Sequence, residues 1–315
     1  MSTEKYKRFF KRLYDDGQIP EDLYIRLQAE IVKDGKMTKR VYGVFLKELE
    51  RRRMFDVDGT PYDTKNSAVT DGNYPFLRKQ TAVGKFFHAI WIGFVKVMCG
   101  LLCGIYYGAW RVRGKEHFKG LKGCITTSNH IDYLDTCLTV RVTGCKKFCV
   151  IIAPHNCKND FFGWAYKKTG AVPLPSAPSG FKPFCEALES ERDRGAAIHF
   201  YAEQSMWHFY DKPRPYKDGA FFYADKLDIP VVPVLYCVRE PKGLRKLLHL
   251  PKITMAAGEP QYVNRDIPGR LRKAELCERV ERETARLYED ITGKKAEYLP
   301  CAPEFIETDN TNKAT

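Results

Sequence analysis

From Val112 onward, the sequence alternates between short apolar runs and longer stretches with helical periodicity. The runs that predict strands are Arg111–Gly114, Cys124–Ser128, Phe148–Ala153, Ala171–Leu174, Ala197–Tyr201 and Val231–Val238, with Lys252–Ala257 as a further edge strand. The predicted helices are Leu134–Val142, Phe161–Lys168, Phe181–Arg192, Gly219–Leu227 and Pro268–Thr292. Parallel strands need a crossover between them, and a helix is the usual crossover. The alternation therefore predicts an α/β fold, with a mainly parallel sheet flanked by helices.

Length and composition set the scale of the molecule. With 315 residues, 44% of them hydrophobic, the chain can bury one large domain and an accessory region. The formal net charge of +13 indicates an anionic partner, such as a lipid surface, a nucleotide-bearing cofactor or a nucleic acid, although a basic surface also serves solubility alone. The eleven cysteines are scattered and include no CxxC pair, which favours free thiols in a reducing compartment over disulfides or a metal site.

Residues 1–80 predict an N-terminal helical region. The expected helices are Lys5–Tyr14, Pro20–Gly35 and a third that follows Thr38 as its N-cap and ends in the basic run 51–53. Residues 56–73 are rich in Asp, Gly, Thr, Pro and Asn, and predict a loop or linker. No signal peptide is predicted, because the region is polar and charged from its start. Two interpretations stay open: a packing appendage, or a surface that docks on an anionic membrane.

The most hydrophobic segment, residues 86–110, lies in a predicted membrane-associating helix over residues 81–111. A bilayer-spanning helix needs about twenty apolar residues, so the length suffices. His88 and Lys96 interrupt the segment on one helical face, which favours an interfacial helix over a spanning one. The spacing of Gly100, Gly104 and Gly108 predicts the close approach of another helix. A buried core helix of a soluble protein is the alternative.

A histidine follows the predicted strand Cys124–Ser128, at the turn into a helix. The sequence of residues 129–135 is N-H-I-D-Y-L-D. Ligands of open α/β sheets bind at the carboxyl ends of the strands. An imidazole can take a proton from a hydroxyl nucleophile, and a carboxylate on its other nitrogen fixes the tautomer. His130 is therefore a candidate general base. Two carboxylates lie nearby, Asp132 and Asp135, and Asp132 could cap the following helix instead of binding the imidazole.

The sequence carries no signature of a metal or cofactor site. There is no cluster of metal ligands, no P-loop and no G-x-G-x-x-G motif. Cys137 lies close to His130 in sequence, but its helical position favours a core thiol over a nucleophile. We therefore expect neither a metal nor a cofactor.

Further sequence blocks surround the histidine in a fixed order. V-R-G-K-E-H-F at residues 112–118 precedes it, and G-A-V-P-L-P-S at 170–176, Y-A-E-Q-S-M-W at 201–207 and I-P-V-V-P-V at 229–234 follow it. In order and spacing, these blocks resemble the glycerol-3-phosphate and lysophosphatidate acyltransferase superfamily. That family carries V-x-G-x-E-N, N-H-x4-D, a block centred on a glycine before a short strand, F-P-E-G-T-R-S and V-P-I-V-P-V. The resemblance covers residues 112–238.

The resemblance implies roles for individual residues. His130 corresponds to the general base and Asp135 to its partner. The third block, which the family associates with the acyl acceptor, places its glutamate at Glu203. Because a carboxylate does not attract phosphate, we expect Glu203 to orient a donor or to bind a hydroxyl. The substrate-binding residues predicted from these blocks are Asn129, Glu203, Gln204 and Ser205.

Two arginines of the family pattern are missing. Ser176 occupies the place of the second-block arginine, which is thought to bind the acceptor phosphate, and Met206 that of the third-block arginine. Cations just downstream could supply the charge, although an ordinary solvated loop is the alternative. These cations are Lys212, Arg214 and Lys217.

The predicted function is acyl transfer from acyl-CoA or acyl carrier protein to the free hydroxyl of 1-acyl-glycerol-3-phosphate, giving phosphatidate for phospholipid synthesis. A thioester is already activated, so His130 can deprotonate the hydroxyl for direct attack. Backbone N–H groups near the helix start are candidates for the oxyanion site. One alternative is an acceptor with another head group or an amino-lipid. The other is a non-catalytic basic protein that binds a membrane or nucleic acid.

The predicted organisation follows from these assignments. The catalytic domain is expected over residues 112–298 and a flexible tail over residues 299–315. The expected partners are a lysophospholipid acceptor, the acyl donor and a membrane surface, without nucleic acid. The expected location is the cytoplasmic face of a membrane, with the protein peripheral or anchored by a single helix.

Overall fold

The computed structural model describes residues 2–65, 67–77, 81–144, 147–296, 298, 300 and 301, except the side chain of residue 162. These residues form two compact units. The first contains residues 1–61 and 298–315, and the second contains residues 62–297. Nearly all of the predicted flexible tail lies outside the described residues.

The first unit contains three helices with their own core. Their bounds are α1 (Thr3–Asp15), α2 (Glu21–Asp34) and α3 (Lys39–Arg51). Ser2 and Thr38 cap α1 and α3 by accepting backbone N–H bonds, and Gly35 ends α2 in the left-handed conformation at φ 68°. The core includes Tyr6, Phe9, Phe10, Leu13, Leu23, Leu27, Ile31, Val41, Phe45 and Leu49. The helices predicted for this region are confirmed, and they bury their apolar faces against one another.

The loop predicted over residues 56–73 is a loop in its described part, and residues 62–65 and 67–77 belong to the second unit. The hydroxyl of Thr70 donates to Leu174 O at 2.8 Å, and Ala68 N donates to Cys157 O at 2.7 Å. The N–H of Gly72 donates to the hydroxyl of Ser179 at 3.1 Å. The boundary between the units therefore lies near residue 61, not near residue 80.

The second unit is built on a seven-stranded sheet in the order β1-β7-β6-β2-β5-β3-β4. The strands are β1 (Val112–Arg113), β2 (Cys124–Ser128), β3 (Lys147–Ile152), β4 (Ala171–Pro173), β5 (Ala196–Tyr201), β6 (Val231–Arg239) and β7 (Lys252–Ala257). All pairs are parallel except β6 with β7. The predicted mainly parallel sheet is thus confirmed. The expectation that β7 is an edge strand is wrong, because β1 pairs with its outer side.

Helices cover both faces of the sheet. They are α4 (Ala82–Ile105), α5 (Asp135–Val142), α6 (Phe161–Thr169), α7 (Phe181–Asp193), α8 (Gly219–Leu227), α9 (Leu244–Leu247) and α10 (Gly269–Thr292). Because side chains alternate along a strand, Ile198 and Phe200 of β5 join the cluster that contains residues of α7 and α8. Ala197 packs in the opposite cluster, with Leu138 of α5 and Cys103 of α4. The fold is therefore a layered α/β architecture, as the sequence predicts.

The hydrophobic helix α4 packs along one side of the second unit. His88 Nε2 lies 3.0 Å from Lys168 O, and Lys96 Nζ donates to Gly144 O at 2.9 Å. The two polar residues thus share a face, as predicted, and that face contacts the unit. By length and composition, α4 is the helix of the described chain that could cross a membrane, and only 11% of its most apolar window is buried. Its exposed apolar side chains are Val83, Phe86, Phe87, Ile90, Phe94, Val97, Met98, Leu101 and Ile105.

The glycines of this segment face single side chains or open space. A Cβ at Gly104 would lie 2.4 Å from the ring of Trp110, and one at Gly108 would lie 2.9 Å from the Arg245 guanidinium. Gly100 faces open space. Two of these glycines thus make room for single side chains, and the approach of a helix at Gly100 stays a prediction.

Candidate active site

His130 lies in the turn between β2 and α5, at the carboxyl end of β2. Its Nδ1 is 2.6 Å from Oδ2 of Asp135, the first residue of α5. The Asp135 side chain is 1% exposed, whereas that of His130 is 21% exposed. With Nδ1–H donating to the carboxylate, Nε2 is the unprotonated nitrogen of the neutral ring. The pair therefore presents a basic nitrogen on an imidazole whose tautomer is fixed.

Carboxylates also hold the backbone of this turn. Asp135 Oδ2 accepts the N–H of Ile131 at 3.1 Å and that of Asp132 at 3.4 Å. Glu203 Oε2 accepts the N–H of His130 at 3.2 Å. These three N–H groups do not form the oxyanion site expected from the sequence, because each already donates to a carboxylate.

Asn129 joins the turn to the neighbouring strand. It is buried, its Nδ2 donates to Tyr236 O at 2.9 Å, and its Oδ1 accepts the N–H of Tyr236 at 2.9 Å. The amide thus closes a bridge between the end of β2 and β6. The predicted contact of Asn129 with substrate is revised, because both ends of its amide already bind the protein.

Two aromatic side chains of β5 support the base. The ring of Tyr201 stacks on that of His130, with centroids 4.1 Å apart and an interplanar angle of 21°. Tyr201 in turn makes an edge contact with His199, at 4.7 Å. Since residues 199 and 201 point to the same side of the strand, the stack runs from the sheet to the catalytic turn.

His199 is a buried neutral histidine. Its Nδ1 lies 2.9 Å from the hydroxyl of Thr126, and its Nε2 lies 3.2 Å from that of Ser128. Burial lowers the pKa of His199 to about 3. The ring therefore stays uncharged below the site at ordinary pH.

Asp132 occupies a second polar position in the turn. Tyr107, two residues beyond the end of α4, donates its hydroxyl to Asp132 Oδ2 at 2.5 Å. His208 Nδ1 lies 3.4 Å from Asp132 Oδ1. Burial raises the pKa of Asp132, while the bond from Tyr107 and the proximity of His208 oppose that rise. Asp132 therefore fixes the turn to the segment after α4 and to the loop of residues 204–214, whereas Asp135 binds the ring of His130.

Glu203 and Arg214 form a buried ion pair next to the base. Arg214 Nη2 lies 2.7 Å from Glu203 Oε2, and both side chains are 1% exposed. The backbone N–H of Arg214 donates to Glu203 Oε1 at 2.7 Å, and its Nη1 donates to the hydroxyl of Ser205 at 2.5 Å. Burial raises the pKa of the Glu203 carboxyl, and the charge of Arg214 opposes that rise. The roles predicted for this group are revised: Glu203, Ser205 and Arg214 fix one another and the His130 backbone.

The 204–214 loop runs beside the catalytic turn. Trp207 N donates to His130 O at 3.1 Å, and Phe209 N donates to Ile131 O at 2.8 Å. The guanidinium of Arg214 lies over the Trp207 ring, 4.5 Å from its centroid. The loop therefore fixes the backbone of residues 130 and 131.

The remaining predicted residues lie around this network. Gln204 is exposed and left-handed at φ 63°, at the place of the family's glycine. Lys212 is exposed and Lys217 is half-buried. Ser176 binds Thr70, whose N–H donates to the Ser176 hydroxyl at 3.0 Å. The position of the missing second-block arginine thus holds the loop 62–77, and Gln204 is the exposed member of the third block.

The sequence pattern alone does not identify several residues of the site. Tyr201 and His199 could be placed by the alternation of β5, once His130 is taken as the base. Tyr107 and Asp132 meet across the end of α4, and only the packing of that helix brings them together. No group of three or more His, Cys, Asp or Glu side chains in the described ranges is placed to hold a metal ion.

The segment that carries this geometry also matches a family model. The model described as Acyltransferase matches residues 109–237, which contain His130, Asp135 and Glu203. The chain carries an acyltransferase domain. The resemblance found in the sequence blocks is thereby confirmed for this segment.

The chain is also similar to individual solved structures. Among solved structures, the 1-acyl-sn-glycerophosphate (LPA) acyltransferase PlsC from Thermotoga maritima is similar, with 18% sequence identity and a TM-score of 0.48 over 70% of this chain and 87% of that chain. No curated protein matches the sequence.

Proposed function

We propose that the acyltransferase domain moves a fatty acyl group from acyl-CoA or acyl carrier protein to the free hydroxyl of 1-acyl-glycerol-3-phosphate, giving phosphatidate. The observation that supports this most directly is the His130–Asp135 pair, with 2.6 Å between Nδ1 and Oδ2. A buried carboxylate on one ring nitrogen makes the other nitrogen a base oriented for one proton transfer. The resemblance of the sequence blocks to lysophosphatidate acyltransferases supports the choice of acceptor.

The chemistry requires one base and an activated donor. His130 Nε2 takes the proton of the acceptor hydroxyl as the hydroxyl oxygen attacks the thioester carbonyl carbon. The new C–O bond forms and the C–S bond breaks. The departing sulfur then takes the proton from the imidazolium. Asp135 stabilises the imidazolium while it carries that proton. Because the thioester is already activated, no covalent acyl-enzyme is needed.

Thiol release from palmitoyl-CoA with lysophosphatidate in detergent micelles tests this proposal. We expect acceptor-dependent release by the wild type, and a loss of roughly a thousandfold or more in His130→Ala and in Asp135→Asn. His117→Ala is the matched control, because His117 contacts Ala257 O outside the site. Unchanged release in His130→Ala would remove the base from the mechanism. If the wild type is silent with CoA donors and with acyl carrier protein donors, the proposal is abandoned.

A second acceptor class is favoured by one observation. The charge of Arg214 is compensated by Glu203 at 2.7 Å, and Ser176 binds Thr70, so neither offers a phosphate site. An acceptor with another head group therefore remains a candidate. A panel of lysophospholipids and phosphate-free acceptors at equal concentration distinguishes the two, since preference for a phosphate-free acceptor would exclude the lysophosphatidate assignment.

We infer that the enzyme works at the cytoplasmic face of a membrane, with α4 lying in the interface. The inner face of α4 is fixed to the domain through His88 and Lys96, while its outer face carries large apolar side chains. A helix attached along its length to a folded domain suits immersion in the interface better than a span across it. Labelling of cysteines introduced at Thr81 and at Trp110 in sealed vesicles tests this. Both should react from the same side, whereas reaction from opposite sides would establish a span.

A further inference from the structure

The loop between β6 and β7 exposes three leucines. Residues 240–251 contain the short helix α9. Leu244 and Leu247 of this helix are 68% and 74% exposed, and Leu248, which follows it, is 55% exposed. Side chains three and four positions apart lie on one face of a helical turn. Clustered apolar side chains on a surface mark a contact with a partner or a membrane, whereas scattered ones need no explanation.

This loop is fixed to the end of α4. Arg245 Nη1 donates to Ile105 O at 3.0 Å, and Arg245 Nη2 donates to Tyr106 O. The guanidinium fits there because Gly108 is left-handed, at φ 59°, and has no side chain. Arg245 thus satisfies carbonyls at the carboxyl end of the helix, where a cation is favoured. The loop that carries the leucines is therefore attached to the carboxyl end of α4, whose last residue, Ile105, is 61% exposed.

A basic cavity opens beside the same loop. It has a volume of about 380 Å³, and its cations are Arg113, Arg239, Lys242, Arg245 and Lys252. Glu240 is the carboxylate among the described lining residues.

Backbone carbonyls hold three of these cations. Arg239 donates to Ile291 O, Arg245 donates to Pro251 O at 2.5 Å, and Lys252 donates to Gly108 O at 2.5 Å. Carbonyls orient these cations without neutralising them. Arg245 Nε is also buried without a hydrogen-bond partner among the described residues. The cavity therefore suits an anion with several oxygen acceptors.

We propose that the 240–251 loop is a second membrane contact, in which the leucines enter the interfacial layer and the cavity binds the phosphate of an anionic lipid head group. Leucines next to lysines and arginines, on a surface continuous with α4, are the composition of an interfacial segment. A soluble phosphate ligand would not account for the exposed leucines. This surface is independent of acyl transfer, so its test needs no turnover.

Sedimentation of the full chain with vesicles tests the apolar part. We expect Leu244→Ser, Leu247→Ser and Leu248→Ser together to weaken binding to phosphatidylcholine vesicles by about tenfold or more, because transferable apolar surface is lost. Some binding should persist through α4. Leu271→Ser is the matched control, because Leu271 is 49% exposed on α10, away from this loop. Unchanged binding by the triple variant would overturn the proposal.

The basic part has its own test. Arg113→Gln with Lys242→Gln removes two exposed charges that do not hold α4. We expect the preference for vesicles containing phosphatidylglycerol over neutral vesicles to fall by about tenfold, since each basic residue near an anionic surface contributes about 1 kcal/mol. Lys182→Gln, an exposed lysine on α7, is the control and should change nothing. If the double variant keeps its preference for anionic vesicles but loses affinity for CoA, the cavity serves a soluble phosphate ligand and the proposal is overturned.

A variant that keeps the surface apolar distinguishes a lost membrane contact from misfolding as the cause of weaker binding. Leu247→Trp should bind vesicles at least as tightly as the wild type, because tryptophan favours the interface. Its added fluorescence should be quenched by lipids brominated on their acyl chains. Binding without any quenching beyond that of the wild type would place the loop outside the bilayer and overturn the proposal.

Discussion

The imidazole of His130 is held by a ring as well as by a carboxylate. Asp135 fixes Nδ1, and Tyr201 covers one face of the ring at a centroid distance of 4.1 Å. The Tyr201 hydroxyl lies 3.2 Å from the Thr136 hydroxyl, so the stacking ring is itself fixed to α5. A base restrained in both tautomer and plane loses little orientational freedom on the way to the transition state.

This arrangement predicts different effects for two substitutions of Tyr201. Tyr201→Leu removes the stacking ring, and we expect kcat to fall by about tenfold with little change in KM, because the imidazole can then tilt. Tyr201→Phe keeps the ring, and we expect kcat within about twofold of the wild type. Thiol-release kinetics with unfolding curves measure both. Equal losses in the two variants would mean that the hydroxyl matters, and not the stacking.

His199 predicts a pH-dependent term in stability. Its folded pKa is about 3 because it is buried, whereas an unfolded histidine titrates near pH 6.5. Between these values the unfolded chain binds the additional proton, so the free energy of unfolding falls as the pH falls. Lowering the pH from about 7 to about 4 should cost about 3 kcal/mol through this residue.

Urea unfolding at several pH values, with His199→Gln as the matched variant, measures that term. The variant should lose stability less steeply with falling pH, by about one proton in the slope. Identical slopes for the two proteins would show that His199 does not carry the term.

At the residue scale, the sequence predicted the contact of His130 with Asp135, whose catalytic role stays a prediction, but not the contacts around it. The spacing of His130 and Asp135 is local, and a strand-to-helix turn brings them together without further help. Arg214 was expected to bind phosphate, since its charge is visible in the sequence. Its partner Glu203 is eleven positions away, and only the fold of the loop shows that the two charges compensate each other.

Among the elements, the packing of the short segment around β1 explains why the V-x-G-x-E block carries a glycine. Gly114 has φ 70°, and a Cβ there would lie 1.9 Å from Ala257 O. The backbone of the lead-in therefore passes too close to the end of β7 for any side chain. That contact is where β1 joins the sheet through β7.

Two glycine substitutions separate close approach from conformation. Gly114→Ala should lower the free energy of unfolding by about 2–4 kcal/mol, because it adds a clash with backbone to a disfavoured φ. Gly120→Ala, at φ 80° with nothing within 4 Å, should cost only about 1–2 kcal/mol. Urea unfolding of both variants measures the difference. Equal losses would mean that the approach to Ala257 is relaxed at no cost.

Elements with a clear period were predicted well, and their neighbours in the sheet were not. The helix α7 and the strand β2 have the expected residues within a few positions at each end. The position of β7 between β1 and β6 depends on long-range pairing, which leaves no periodic signal in the strand itself. Likewise, Gly104 was read as a helix contact because its spacing matches one, but Trp110 folds back onto it.

For the molecule as a whole, the net charge of +13 predicts how binding to membranes responds to salt. Raising sodium chloride from about 0.1 M to about 1 M shortens the Debye length from about 10 Å to about 3 Å. Binding to vesicles with phosphatidylglycerol should weaken by about tenfold or more, because the attraction of exposed cations is screened. Neutral phosphatidylcholine vesicles are the control, and their binding should not weaken. Equal losses on both would indicate that charge contributes nothing to attachment.

The bond between Tyr107 and Asp132 joins α4 to the turn that carries the base. Lys96 makes a second attachment, to Gly144 O beyond the end of α5. A movement of α4 is therefore transmitted to the segment between these two points, which contains Asp135 and begins two residues after His130. If α4 lies in the interface as proposed, the thickness and lateral pressure of the bilayer act on the geometry of the His130–Asp135 contact. The bilayer then supports the fold of this site as well as the attachment of the protein.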